Sequence, residues 1–129
     1  MSNPTLVKSM QAGGAIAVGR ICCFGASDGV VVQATAATDA LIGVCHSLSA
    51  ETGGRVDVML AGVAEVALGG SVTRGGPVTS DANGKGVAAS PGNALNVRII
   101  GFALESGVAD EMISLLLQPG MIQGQGAPA

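Results

Sequence analysis

The chain has 129 residues and a net charge of −3, with charged side chains at only 12% of positions. It is therefore of single-domain length and lacks the clustered basic surface that nucleic-acid binding requires. It also has no run of the ~18–20 apolar residues that a membrane-spanning helix needs, and its N-terminus does not have the pattern of a signal peptide.

Aromatic residues make up 2% of the chain, whereas glycine occurs 21 times. Small β-branched residues with many glycines favour short strands joined by tight turns over a helical bundle. Residues 1–5 are polar and are predicted to form a loose N-terminal arm. The pair Asp28-Gly29 is typical of a hairpin turn, because both residues tolerate positive φ. The strands predicted in the first half cover residues 6–12, 20–24, 30–34, 41–45 and 55–60.

The second half of the chain repeats this layout at an offset of roughly 56 residues. The matching turn positions are Gly13-Gly14 with Gly69-Gly70, Gly19 with Gly75, and Asp28-Gly29 with Asn83-Gly84. Pro77 has no N–H to give to a central ladder, so it is predicted to begin a strand or lie on an edge. The other strands predicted in this half cover residues 63–68, 85–88, 96–104 and 111–117.

The duplication predicts an all-β fold, a single compact β-barrel or sandwich over residues 6–117 with flexible termini. Its two similar halves are residues 6–60 and 61–117. We expect the halves to close on each other, because neither half alone is expected to bury its own apolar face. Residues 118–129 have no hydrophobic periodicity and are predicted to form a flexible tail.

The cysteines and the single histidine are the first candidates for chemistry. Cys45-His46 suggests a nucleophile beside a base, but neighbours in a strand point to opposite faces. Cys22 and Cys23 could join them as four zinc ligands, yet adjacent pairs on strands do not have the spacing of a zinc knuckle. An odd number of cysteines implies no closed disulfide framework. Free buried thiols and synthesis in a reducing cytoplasm are the simpler interpretation.

Other motifs indicate no enzyme and no cofactor. The nine carboxylates are scattered over turns and loops and form no acid–base pair. The glycines match neither a phosphate-binding loop nor a dinucleotide-binding motif. Lys85, beside the Asn83-Gly84 turn, invites comparison with the modified lysine of lipoyl and biotinyl carrier domains. Its flanking residues differ from theirs, so a carrier-type domain remains only an alternative.

Taken together, the order of the segments resembles the small cement, or head decoration, proteins of tailed bacteriophages. The resemblance rests on the order of five segments and on the duplication itself. These segments are residues 12–19 (AGGAIAVG), 39–44 (DALIGV), 56–66 (VDVMLAGVAEV), 75–88 (GGPVTSDANGKGVA) and 100–106 (IGFALES).

The resemblance implies a non-enzymatic structural protein of the virion, located on the outer capsid surface. It implies binding to the major capsid protein where capsomers meet, and reinforcement of the head against the pressure of the packaged DNA. It also implies self-association, commonly as a homotrimer and sometimes as a dimer. Neither nucleic acid nor a membrane is an expected partner. A β-barrel module that binds glycans or a host surface is the alternative, although the lack of Trp and Tyr disfavours sugar stacking.

The terminal segments are the predicted partner-binding sites, because polar segments outside the core can become ordered on a partner. Addition of a strand to a sheet edge is one way to do so. The predicted contact residues are Asn3, Pro4, Thr5, Leu6, Gln118, Pro119, Met121 and Ile122.

Overall fold

Nine strands and no helix form in the computed structural model, which describes residues 3–46, 48–90 and 96–123. Within those residues there is accordingly no helix with the length and hydropathy to cross a bilayer. In chain order the strands are β1 Asn3–Ala12, β2 Ile21–Phe24, β3 Val30–Gln33, β4 Leu41–Cys45, β5 Arg55–Ala67, β6 Pro77–Ser80, β7 Gly86–Ala88, β8 Asn96–Ala103 and β9 Met112–Gln123. Pro77 begins its strand, as predicted.

The first five strands close into a barrel. They follow one another around the ring in the order β1, β3, β2, β4 and β5, and β5 pairs back with β1. The β1–β3 pairing is parallel and the others are antiparallel. The remaining strands extend from β5 in the order β9, β8, β6 and β7, and an isolated parallel bridge joins Leu68 to Gly86. The predicted all-β barrel is confirmed, as a closed five-stranded barrel with four additional strands.

The internal duplication is visible in the register of the strands. Pairings in the first half recur between equivalent residues of the second half. The matching pairs are Met10↔Val56 with Val66↔Ile113, Cys22↔Gln33 with Val78↔Ala88, Cys45↔Val58 with Ala103↔Leu115, and Ile16↔Ala50 with Val72↔Gly107. Because a shift of one residue would turn every side chain to the other face, this agreement means that both halves present equivalent residues to equivalent faces.

Two apolar clusters fill the molecule. One lies wholly within the first half: Met10, Ala12, Ile16, Cys22, Val31, Cys45, Ala50, Val56 and Val58. The other joins the halves: Ile21, Cys23, Ala34, Leu41, Val44, Met59, Ala64, Val66, Leu68, Val72, Val78, Ile100, Ala103, Ile113, Leu115 and Leu117. The first half therefore does bury an apolar face of its own, contrary to expectation, because its five strands close into a ring.

Strand β5 belongs to both halves. The sequence predicts two strands here, over residues 55–60 and 63–68, but the structure has one strand of 13 residues. Gly62, in the second part of this strand, has a φ of 108° that a residue with a β-carbon rarely adopts. The register of the β1 pairing shifts opposite this stretch, at Leu6. The strand thus changes direction where the halves meet without losing its partners.

Both ends of the sheet extend further than predicted. β1 begins at Asn3 within the predicted arm, and β9 continues to Gln123 within the predicted tail. The first extension pairs with β5 and the second with β8. Neither extension shows an alternation of apolar and polar residues that would predict it, and Pro4 and Pro119 both argue locally against a strand. Residues 1–2 and 124–129 of the predicted arm and tail lie outside the described residues.

Two equivalent glycines allow strands to approach closely. A β-carbon at Gly43 would collide with the carbonyl oxygen of Met59, and one at Gly101 with that of Leu116. We predict that Gly43→Ala and Gly101→Ala each lower the free energy of unfolding by about 2 kcal/mol or more, since backbone must move to make room. Gly14→Ala is the control, because no atom of the described residues lies within 4 Å of the position that its β-carbon would occupy. Urea unfolding measures all three; equal effects would contradict the prediction.

One buried hydroxyl has no partner. Thr79 is 3% exposed, and its Oγ1 makes no hydrogen bond to any residue that the structure describes. We predict that Thr79→Val raises the free energy of unfolding by about 1 kcal/mol, because the shape is kept and an unsatisfied polar atom is removed. The neighbouring Ser80→Ala should do the opposite, since Ser80 Oγ donates to the carbonyl oxygen of Asp81 at 2.9 Å. Thermal and urea unfolding of both variants would reveal an error in either direction.

Candidate docking surface

The predicted contact residues lie at two strand ends, which we define as residues 3–6 of β1 and 118–122 of β9. The first strand end pairs with the middle of β5, through Asn3↔Val63 and Leu6↔Ala61. The second pairs with the start of β8. Each contact segment is thus paired with a neighbouring strand, β5 for the first and β8 for the second, and is not a loose arm.

The strands that carry the two strand ends, β1 and β9, both pair with the same stretch of β5. In the described residues the two strand ends do not pair with each other. Val63 is the partner of Asn3 in β1 and also of Leu116 in β9. A strand residue can have one partner on each edge, so β1 and β9 flank β5 on opposite sides. Beyond Leu116, β9 leaves β5 and continues with β8 as a two-stranded ribbon.

Two apolar side chains of the strand ends face outward. Leu6 and Met121 are each 53% exposed. Met121 lies directly opposite Arg98 on β8, whereas Ile122 lies opposite the buried Val97. Because successive side chains alternate between faces, the ribbon turns Ile122 toward the protein and Met121 away from it. Leu6 and Met121 are therefore the apolar side chains of the strand ends best placed to contact a partner.

A further apolar surface was missed by the sequence reasoning. It is a row of side chains across four neighbouring strands of the second half, which we call the outer row: Pro77, Phe102, Leu116 and Val63. Register places them side by side, since Pro77 pairs with Phe102, Phe102 with Leu116, and Leu116 with Val63. Leu116 is 40% exposed and the other three are half-buried.

The equivalent row of the first half, which we call the inner row, has a different environment. It consists of Ile21, Val44, Met59 and Val7, joined by the same succession of pairings. Ile21, Val44 and Met59 are almost completely buried, within the cluster that joins the halves. Aligning the two copies residue by residue would have identified the outer row, because both rows are apolar at every position.

The cysteines have the environment of core residues and not of nucleophiles. Burial raises the pKa of the Cys23 thiol to about 11, with a smaller contribution from Asp39. Burial also raises the pKa of the Cys45 thiol to about 11, with a smaller contribution from the negative charge of Asp57. Burial likewise raises the pKa of the Cys22 thiol. Nucleophilic catalysis requires a thiolate and hence a lowered pKa. The Cys45 thiol instead donates to the carbonyl oxygen of Leu48 at 3.2 Å.

The four potential zinc ligands do not converge. Cys22 belongs to the core of the first half, whereas Cys23 belongs to the cluster that joins the halves. The two thiols therefore lie on opposite faces of β2. Among the residues that the structure describes, no three or more His, Cys, Asp or Glu side chains are grouped to hold a metal ion.

Lys85 does not have the setting of a carrier lysine. Its Nζ lies 3.1 Å from Asp110 Oδ1, and its side chain is only 24% exposed. The backbone N–H of Lys85 donates to Asp81 Oδ1 at 2.9 Å, and the same oxygen accepts from the backbone N–H of Asn83. Asp81 thus fixes the turn, and the lysine folds back onto the second half. A carrier lysine must instead extend from the turn to reach successive active sites.

A pocket of about 320 Å³ opens at the seam between the halves. Its lining residues are Val18, Val44, Cys45, His46, Met59, Ala64, Glu65 and Met112. Most of these side chains are apolar. The ionisable ones are Cys45, His46 and Glu65, and within the described residues they do not form a group that could hold a metal ion. The pocket is thus a gap between the packed halves.

Comparisons with known proteins identify a family and a solved structure that this chain resembles. The family model described as phage cement protein matches residues 2–116. A solved structure of similar fold is the head fiber gp8.5 N base in bacteriophage phi29, with a TM-score of 0.65 and 15% sequence identity. That alignment covers 88% of this chain and 93% of the other. Comparison with the curated proteins gives no match.

The buried thiols lead to a prediction about reactivity. We expect Cys22, Cys23 and Cys45 of the folded protein to react with a thiol reagent at neutral pH at least about 100-fold more slowly than in urea, because burial blocks access and favours the protonated thiol. Timed labelling followed by intact mass spectrometry measures this directly. Rapid labelling of any of the three in the folded protein would show that its thiol is accessible.

Proposed function

The chain belongs to the phage cement protein family, and we propose that it binds the outer surface of a phage head at the junctions between capsomers and stabilises the shell against the pressure of the packaged DNA. A structural role on the phage capsid, and a location in the virion with the capsid, follow from the family. The junctional position and the resistance to pressure are the proposal.

The family match over residues 2–116 is the observation that carries the proposal. The fold is consistent with it, because a protein that reinforces a shell must transmit force without unfolding. Two halves that share β5 and a common core form one continuous sheet with the same register in each half. Backbone pairing thus runs through the junction between the halves, along β5.

We propose that the strand ends make the contact with the major capsid protein. Leu6 and Met121 supply exposed apolar side chains at the two ends. In the described residues, β8 is the strand partner of residues 120–122, so the other edge of β9 is available for addition of a capsid strand. Pro119 lacks an N–H and limits how far such a pairing extends. The proposed partners are the major capsid protein and further copies of this chain, as a homotrimer or a dimer.

Capsid binding tests the proposal. Purified protein is mixed with mature heads that lack it, and bound protein is measured by co-sedimentation. We expect saturable binding, and we expect decorated heads to release DNA at a higher temperature than undecorated heads. Leu6→Ser with Met121→Ser should weaken binding at least about ten-fold, because two apolar contacts are lost.

Val108→Ser is the matched control. Val108 is a similarly exposed apolar residue, at 55%, but lies in the loop between β8 and β9 and outside both strand ends. It should bind like the wild type. Failure of the wild-type protein to bind undecorated heads would overturn the proposed function, and equal binding by the double variant would overturn the assignment to the strand ends.

A further inference from the structure

Two surfaces pack together at the junction between the halves, one on each half. Because the chain is duplicated, each of these surfaces has an equivalent on the other half. On the first half, the covered side includes Ile21, Val44 and Met59 of the inner row. On the second half, the covering side includes Ala64, Ile100 and Leu117, which share one core cluster with that row. All six side chains are at most 7% exposed. The equivalents of both sides exist elsewhere in the same chain.

The covered side recurs as the outer row. Pro77, Phe102 and Leu116 occupy the positions of Ile21, Val44 and Met59, with the same cross-strand pairings. Every position remains apolar, although nothing in the described residues covers the row as the second half covers the first. Leu116 is 40% exposed where its counterpart Met59 is 1% exposed.

The covering side recurs on the first half. Lys8, Ile42 and Leu60 occupy the positions of Ala64, Ile100 and Leu117. Ile42 and Leu60 are half-buried and Lys8 is exposed, whereas their counterparts are buried. The aliphatic stem of a lysine can cover apolar surface while its amine stays in water. The first half therefore carries an apolar surface of the type that packs on such a row.

We propose that the outer row of one copy packs against Lys8, Ile42 and Leu60 of a second copy, so that the chain associates with itself head to tail. The occupant is a second copy because the same chain carries both complementary sides of its own interior junction. Since the two sides differ, the contact is heterologous and closes into a ring when the rotation between copies allows. This inference rests on the proposed function and gives a surface to the self-association that it includes.

The contact between copies lacks the hydrogen bonds of the interior junction. There, the N–H of Ile21 donates to the carbonyl oxygen of Gly84 at 2.8 Å. Arg20 Nη1 and Gln33 Nε2 both donate to the carbonyl oxygen of Asn83. The second half has Pro77, Gly76 and Ala88 at the three donor positions, which supply no equivalent donors. The association is therefore apolar and weaker than the interior junction.

Oligomeric state in solution tests the surface. The wild type is expected to form oligomers with rising concentration in analytical ultracentrifugation, from micromolar to millimolar protein. Leu116→Lys should remain monomeric, because it places a charge in the middle of the outer row. Val108→Lys is the control and should associate like the wild type. Thermal unfolding of each variant shows that it is folded, and Phe102→Ser gives a second disruption of the row.

Mixing two variants tests the head-to-tail arrangement. Leu116→Lys disrupts the outer row but keeps the opposing surface of Lys8, Ile42 and Leu60. Lys8→Asp combined with Leu60→Asn disrupts that opposing surface but keeps the outer row. Each should be monomeric alone, and an equal mixture should form a dimer and nothing larger, because only one intact contact is possible. A mixture that stays monomeric overturns the heterologous contact. A folded Leu116→Lys protein that associates like the wild type overturns the surface.

The two proposals fail separately. A wild type that remains monomeric at all concentrations, yet binds heads, overturns the self-association surface and supports the proposed function. A wild type that associates through the outer row, yet does not bind heads, overturns the proposed function and supports the surface.

Discussion

The rest of the structure depends on β5, the one strand that both halves share. Its first part closes the ring by pairing with β1 and β4, and its second part starts the additional strands by pairing with β9. Here backbone hydrogen bonds continue through the junction, and the two halves are fixed in one orientation by a strand that belongs to each.

The narrow ring explains the unusual composition. The interior of a five-stranded ring has little room, so it is filled by Ala, Val, Ile, Cys and Met. Neither of the two phenylalanines is in a core cluster: Phe24 is 57% exposed and Phe102 lies in the outer row. The core of the ring therefore contains no aromatic side chain. Gly43, in β4 of that ring, likewise lets its strand approach Met59 of β5 closely.

Much of this fold was accessible from the sequence, because its turns are marked by glycines and its copies by matching motifs. Local pattern did not reveal that β5 is continuous, since Gly62 resembles a break and the adoption of positive φ there depends on the strands beside it. The paired strand ends were missed for the same reason, as Pro4 and Pro119 argue locally against strands. Met59 is buried and Leu116 is exposed because the second half covers one and not the other. That arrangement of the halves could not be predicted from the residue type at either position.

The three free cysteines have a consequence for the life of a virion. A phage protein folds in a reducing cytoplasm and then persists outside the cell, where thiols oxidise. Many copies held close together on one particle would be at risk of cross-linking to one another if their thiols were exposed. Cys22, Cys23 and Cys45 are each buried, and burial keeps them protonated. The protein therefore uses cysteine as a small core residue whose thiol is kept away from solvent and from neighbouring copies.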